Sequence, residues 1–364
     1  MSTAVDALDL LDAEDRIRLQ FLTALRRRWA TTMFVELRDE YRAATAVAGV
    51  PDSKEAAAAL IERCPSYRWF GWLERGGQKL KWRVITGIID ANRGNWAAPA
   101  TAPDHHAARL DPGVRLPDWY TDWDIHCQPG GVWGDPSSAL VYELGTKVLH
   151  IGRNDRFELH RLFTATAIPD SNYRRIVDLG CGFGKSTIPF KERFGNAEVI
   201  GIDLSAPCVN LAVVRSAQAG VEVSFRQADA TATGLESGSV GLVTGTMVLH
   251  EMPITALREL FREVARILEP GGACRFLEFC RTGDLFRDAV MDQHAVRNNE
   301  PFMPGLMDLD IEGELAAIGL AGGRWVPFDE RGAGVVPAFA NRDEWHFPWA
   351  VLVAKKPVDW KEAR

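Results

Sequence analysis

The stretch Ile176-Val177-Asp178-Leu179-Gly180-Cys181-Gly182-Phe183-Gly184 constrains this chain more than any other. Ile176, Val177 and Leu179 read as a short buried strand. Three alternate glycines then permit a tight turn and a close backbone approach to a ligand, because no Cβ stands in the way. The helix expected after the turn would aim its unpaired N–H groups at that ligand. Strand, glycine turn and helix together point to an α/β fold that takes a nucleotide-like cofactor.

Spacing separates the cofactor classes that use such a turn. Gly184-Lys185-Ser186-Thr187 imitates the end of a phosphate-binding loop, yet that motif needs a glycine where the chain has Leu179. A dinucleotide-binding G-x-G-x-x-G beginning at Gly180 needs glycine or alanine where the chain has Lys185. What remains is Asp-x-Gly-x-Gly-x-Gly, with Asp178 two residues ahead of Gly180. Here the chain resembles the class I S-adenosylmethionine (SAM) dependent methyltransferases.

The resemblance continues in the family's order. A second strand, Glu198 to Ile202, ends in Asp203-Leu204-Ser205, where a carboxylate accepts the ribose hydroxyls of adenosine cofactors. A third, Val221 to Phe225, leads to Asp229-Ala230, where the family places an acid beside the adenine amino group. A fourth, Val240 to Val243, leads through Thr246 and His250-Glu251-Met252-Pro253 into a helix with Leu257, Leu260, Phe261, Val264, Ile267 and Leu268 at helical spacing. That helix stops at Glu269-Pro270-Gly271-Gly272, before a fifth strand from Ala273 to Phe279. Segments 323–327 and 349–355 look like strands six and seven. The resemblance implies a Rossmann-like, seven-stranded, mostly parallel sheet flanked by helices. It also implies SAM as cofactor, with Asp178, Gly180, Cys181, Gly182, Asp203, Leu204, Asp229, Ala230, Thr246 and Tyr142 as its contacts.

With 364 residues, the chain exceeds a domain of ~100 to 200 residues, so a second region is expected. Residues 1–150 read as a mainly α-helical amino-terminal domain and 151–364 as the cofactor domain, with insertions near 282–308 and 329–346. Ile17, Phe21, Leu25, Trp29, Met33, Leu37 and Tyr41 recur every four residues, one stripe of a long helix with a bend expected at Thr31-Thr32. Eight of the 12 tryptophans precede residue 150, as does His105-His106. From 97 to 138 six prolines break any long element, and a stretch of this kind is expected to be a substrate lid or a packed arm.

A formal charge of −7 argues against a polyphosphate partner, so no nucleic acid is expected. No apolar run reaches the ~18 residues of a membrane span, and no signal peptide opens the chain, so a cytoplasmic enzyme without a membrane partner is expected. The six cysteines are scattered without a C-x-x-C pair, and no metal ligands are read from the sequence. The oligomeric state stays open, a homodimer among the options.

Methyl transfer is an in-line displacement, and a histidine beside the acceptor is suited to take a proton near neutral pH. His250, at the carboxyl end of the fourth strand, is the first candidate. Glu251 beside it would orient the imidazole or approach the acceptor. His126, in a His-x-x-Pro-Gly-Gly turn, is the next candidate, and His294 a more distant one. The expected reaction is O- or C-methylation of a small organic molecule, in specialised metabolism. Methylation of a peptide or protein, and a SAM-binding protein without transfer activity, are the alternatives.

Overall fold

The apolar runs after residue 173 pair with one another edge to edge. In the computed structural model, which describes residues 11–92 and 108–360, β1 (Arg175–Leu179), β2 (Glu198–Asp203), β3 (Ser224–Gln227), β4 (Val240–Thr246) and β5 (Leu268–Phe279) are mutually parallel. β6 (Ala321–Asp329), β7 (Gly334–Val335) and β8 (Trp349–Lys355) complete the sheet in the order β3-β2-β1-β4-β5-β8-β6-β7. The sheet therefore has eight strands, not seven. The addition is β7, a two-residue strand that folds back on Phe328 and Asp329 at the outer edge. Strand β4 is buried at every position, as a central strand covered on both faces must be.

Each helix follows from a local signal. Helices α1 (Ala13–Arg28) and α2 (Phe34–Ala48) form the long apolar stripe, and a π-helical turn at Trp29–Met33 supplies the bend expected at Thr31-Thr32. Ser53 caps α3 (Lys54–Ile61) by accepting from the Ala56 N–H, and α4 (Tyr67–Ala91) follows. The arm holds the single turn α5 (Asp118–Thr121), then α6 (Ser138–Leu149) and α7 (Glu158–Ala167) lead into the sheet. Helices α8 (Thr187–Arg193), α9 (Ala206–Ala219) and α10 (Ile254–Ile267) are the crossovers between parallel strands, and α11 (Leu285–Arg297), α12 (Met303–Met307) and α13 (Ile311–Ala317) fill the segment between β5 and β6. His105-His106 and the start of the arm lie outside the described residues. No helix among the described residues is long and apolar enough to cross a membrane.

The amino-terminal helices and the sheet share one apolar core. Trp29, Phe34, Leu37 and Phe70 belong to the same buried cluster as Phe279, Phe286, Trp345 and Trp349. Trp29 stacks on Phe70 at 4.8 Å and meets Trp345 edge-on at 5.4 Å, while Tyr41 sits 4.8 Å from Phe286. Segment 329–346, expected as an insertion, is tied to this core through the Trp345 N–H on the Ala30 carbonyl. Baring one such aromatic costs about 1.5–3 kcal/mol, against a total stability of about 5–15 kcal/mol. A fragment of residues 151–364 is therefore expected to be insoluble or molten. A soluble fragment with a sharp thermal transition would show that the two regions fold independently.

Candidate active site

Parallel pairing lines up the carboxyl ends of three strands. Leu179 is level with Ile202 on β2 and with Gly245 on β4, so the glycine turn, Asp203 and Thr246 meet at one edge. Gly180 and Gly182 both have positive φ, +66° and +53°, where other residues are strained, and a Cβ on Gly180 would collide with Val248. Asp203 is held by the N–H groups of Gly182 and Ser205, which donate to its two oxygens at 2.8 Å each. Burial nevertheless raises its pKa to about 6. Above these groups opens a cleft lined by Gly180, Gly182, Asp203, Leu204, Asp229, Ala230, Thr246 and Tyr142 among others.

Two residues assigned to the cofactor lie elsewhere. Asp178 is fully buried beneath the turn, where one oxygen accepts from Ser186 Oγ and Thr187 Oγ1 at 2.6 Å each, so it fastens the start of α8 rather than facing the cleft. Cys181 points into the apolar core, because the turn that bares the backbone at Gly180 and Gly182 sends the side chain between them inward. Lys185 enters the site instead. Its Nζ donates to Tyr142 Oη at 3.1 Å, and burial lowers its pKa to about 8.

Beyond β4, a tight turn at Leu249–Glu251 presents His250 and Glu251. Glu278 on β5 fixes this turn, since one oxygen accepts from the Leu249 and His250 N–H groups and the other lies 2.7 Å from His250 Nδ1. A carboxylate only accepts, so Nδ1 carries a hydrogen, and in the neutral ring Nε2 keeps its lone pair. Burial opposes charge on this imidazole, but Glu278 outweighs it and the pKa rises. Glu251 does not orient His250 as expected. It serves His126, whose Nε2 lies 3.1 Å from Glu251 and whose Nδ1 lies 3.0 Å from Glu300. Burial works against protonation of His126, yet Glu300 and Glu251 together raise its pKa to about 9.

The fold thus brings His126 and His250 together, with ring centres 6.1 Å apart, although they are remote in sequence. His126 and Cys127 have φ of +55° and +58°, and Met247 at the end of β4 has +55°. Strain gathered on residues around one cleft is a mark of a functional site. The surroundings hold it in place: Arg75 donates to the Arg297 carbonyl at 2.6 Å and to Asn299 Oδ1 at 2.9 Å beside Cys127. His294 stands beside Glu300, with its Nδ1 paired to Glu74 between α4 and α11.

The arm closes the site from above. Arg109 pairs with the edge of β3, its N–H donating to the Phe225 carbonyl at 3.0 Å and its carbonyl accepting from Gln227 at 2.9 Å. Ser205 Oγ ties down the Val132 carbonyl, and Trp119, Tyr120, Trp123 and Trp133 roof the cleft.

Comparison with known proteins agrees with this geometry. The methyltransferase domain family matches residues 176–272. Over 141 residues the chain is 30% identical to demethylmenaquinone methyltransferase of Thermus thermophilus, covering 39% of this chain and 62% of that one. It is 33% identical over 129 residues to ubiquinone biosynthesis O-methyltransferase of Ralstonia nicotianae, covering 35% and 52%. The chain spans about three fifths of the first curated relatives, 62%, 58% and 62% of their length. Among solved structures, phosphoethanolamine N-methyltransferase 2 of Haemonchus contortus in complex with SAM aligns with a TM-score of 0.43 and 16% identity, over 67% of this chain and 61% of that one.

The cleft fits the family's cofactor on its own terms, since Gly180 and Gly182 carry no side chain into it, the Asp203 carboxylate lines it, and Thr246 Oγ1 is buried without a partner. Residues 176–272 match the methyltransferase domain family, and the sheet built around them is a Rossmann-like sheet flanked by helices.

Proposed function

We propose that this protein transfers the methyl group of SAM to an oxygen or carbon of a small organic molecule, in a biosynthetic pathway of specialised metabolism. One observation carries the reading. A second chamber adjoins the cleft, and His126, Tyr142, Lys185, Met247 and Glu251 line both. Trp82, Phe279, Phe347 and Trp349 wall it, with His250, His150 and Lys81 among them. An aromatic-lined chamber of this kind suits a small molecule. Aromatic walls favour a flat or prenyl-like acceptor. Burial lowers Lys81 to about 7 and His150 to about 3, so His150 is neutral at pH 7 and its Nε2 has no partner.

When bound, SAM supplies the methyl carbon together with its own leaving group. The protein has to place the acceptor atom ~3–3.5 Å from that carbon, in line, and keep water out. Asp203 and the glycine turn fix the cofactor end, and the aromatic walls fix the acceptor. His250, which lines the chamber, would receive the acceptor's proton.

Incubation with methyl-labelled SAM and fractionated extract of the source cells tests this. Label is expected in the small-molecule fraction. Label in peptides or proteins would move the assignment to a peptide or protein methyltransferase, and bound SAM with no transfer to any fraction would make the protein a SAM binder.

A pH dependence accompanies the cofactor assignment. Ribose hydroxyls donate to the charged form of Asp203, which is the full population well above pH 6 and is lost as pH falls through 6. Affinity for S-adenosylhomocysteine should be flat above pH 7 and fall about tenfold per unit below pH 6. An Asp203→Asn variant with the same profile would mean that another group titrates.

A further inference from the structure

We propose that His126, His250 and Glu251 form a divalent transition-metal site that binds and activates the acceptor. The inference rests on the proposed methyl transfer and names the device by which the acceptor is activated. One ligand atom from each of the three lies within 4.8 Å of the others. Ligands at ~2.0–2.2 Å from a tetrahedral metal stand about 3.3–3.6 Å apart, so closing the triangle takes side-chain shifts of about an ångström or less.

Each imidazole is already arranged as a metal ligand would be. A ligating histidine gives its far N–H to a carboxylate, which fixes the tautomer and aims the other nitrogen at the metal. His250 Nδ1 lies 2.7 Å from Glu278, and His126 Nδ1 lies 3.0 Å from Glu300. Both carboxylates are buried, and Glu300 keeps a second oxygen with no partner. Three carboxylates, those of Glu251, Glu278 and Glu300, therefore surround two imidazoles. A dication held between them would offset part of that charge.

The donor set selects the ion. Two nitrogens and one carboxylate suit zinc, iron(II), cobalt(II) or manganese(II), whereas calcium and magnesium prefer oxygen ligands alone. Three protein ligands leave a coordination position open, and the cluster borders the acceptor chamber, because His126, His250 and Glu251 all line it. An acceptor hydroxyl reaching that position would ionise near neutral pH, its proton leaving to solvent water through the cleft. Its electron pair then forms the bond to the methyl carbon while the carbon–sulfur bond breaks onto sulfur. In this scheme His250 acts through the ion and not as a free base.

The test is cobalt(II) titration of full-length protein freed of metal by chelation, read by visible d–d absorption and by metal analysis after dialysis. One cobalt per chain with intense bands is expected, lost in His250→Ala and in Glu251→Gln. Glu300→Gln, which touches no metal, should keep the stoichiometry and weaken affinity about 10- to 100-fold. Should His250→Ala fail to fold, Glu251→Gln decides, since Glu251 is half-buried. Wild-type protein that binds S-adenosylhomocysteine by calorimetry but gives no cobalt bands, or bands unchanged in Glu251→Gln, overturns the metal site and leaves the methyltransferase reading intact. Cobalt binding without cofactor binding overturns both, because the site would then serve some other chemistry.

Discussion

Turnover of His250→Ala should fall roughly 100- to 10,000-fold, the usual contribution of a positioned acid–base group, while affinity for SAM stays within about twofold. The separation is structural. His250 faces the acceptor chamber and not the cofactor cleft, and Glu278 has fixed which nitrogen it presents. A proton acceptor and a metal ligand at this position both predict the loss, so the experiment asks whether the group acts at all. Because His250 is buried and anchored, the melting temperature must be read beside the rate. A destabilised enzyme with normal turnover per folded molecule would reduce His250 to packing and pass the chemistry to Glu251 or to proximity alone.

Asp203→Ala is expected to weaken S-adenosylhomocysteine by about 10- to 150-fold, which is ~1.5–3 kcal/mol for hydrogen bonds to a charged group. The residue has two tasks, since its oxygens also receive the Gly182 and Ser205 N–H groups that shape the turn. Asp203→Asn should therefore recover part of the affinity by keeping the shape without the charge. Unchanged affinity in both variants would place the ribose somewhere else.

How far the chain can be read without coordinates depends on the range of the interaction. The glycine turn, the first five strands and the α1–α2 bend are local patterns of period two or 3.6, and the structure carries them within a few residues. The added strand β7 was illegible because Gly334-Val335 is too short to show alternation and exists through its pairing with Phe328 and Asp329. Asp178 and Cys181 show that a motif fixes the backbone but not the direction of each side chain in it.

The candidate site is divided in the same way. Gly180, Gly182, Asp203 and His250 follow from strand ends. Glu278 and Glu300, which set the hydrogens on the two histidines, come from separate elements and carry no signal beyond being acidic. Lys185 was noticed as a residue that broke a dinucleotide motif, whereas its pairing with Tyr142 depends on where α6 packs. The shared aromatic core was hidden as well, since a stripe on a helix says that it is buried and not against what.

Calorimetric titration of the full chain with S-adenosylhomocysteine and, separately, with NAD near pH 7.5 tests the central claim most directly. The predicted result is one site per chain of micromolar affinity for S-adenosylhomocysteine and no heat with NAD, because Asp203 meets the ribose while Lys185 occupies the place of the dinucleotide glycine. Binding of NAD without binding of S-adenosylhomocysteine would contradict the account at its root.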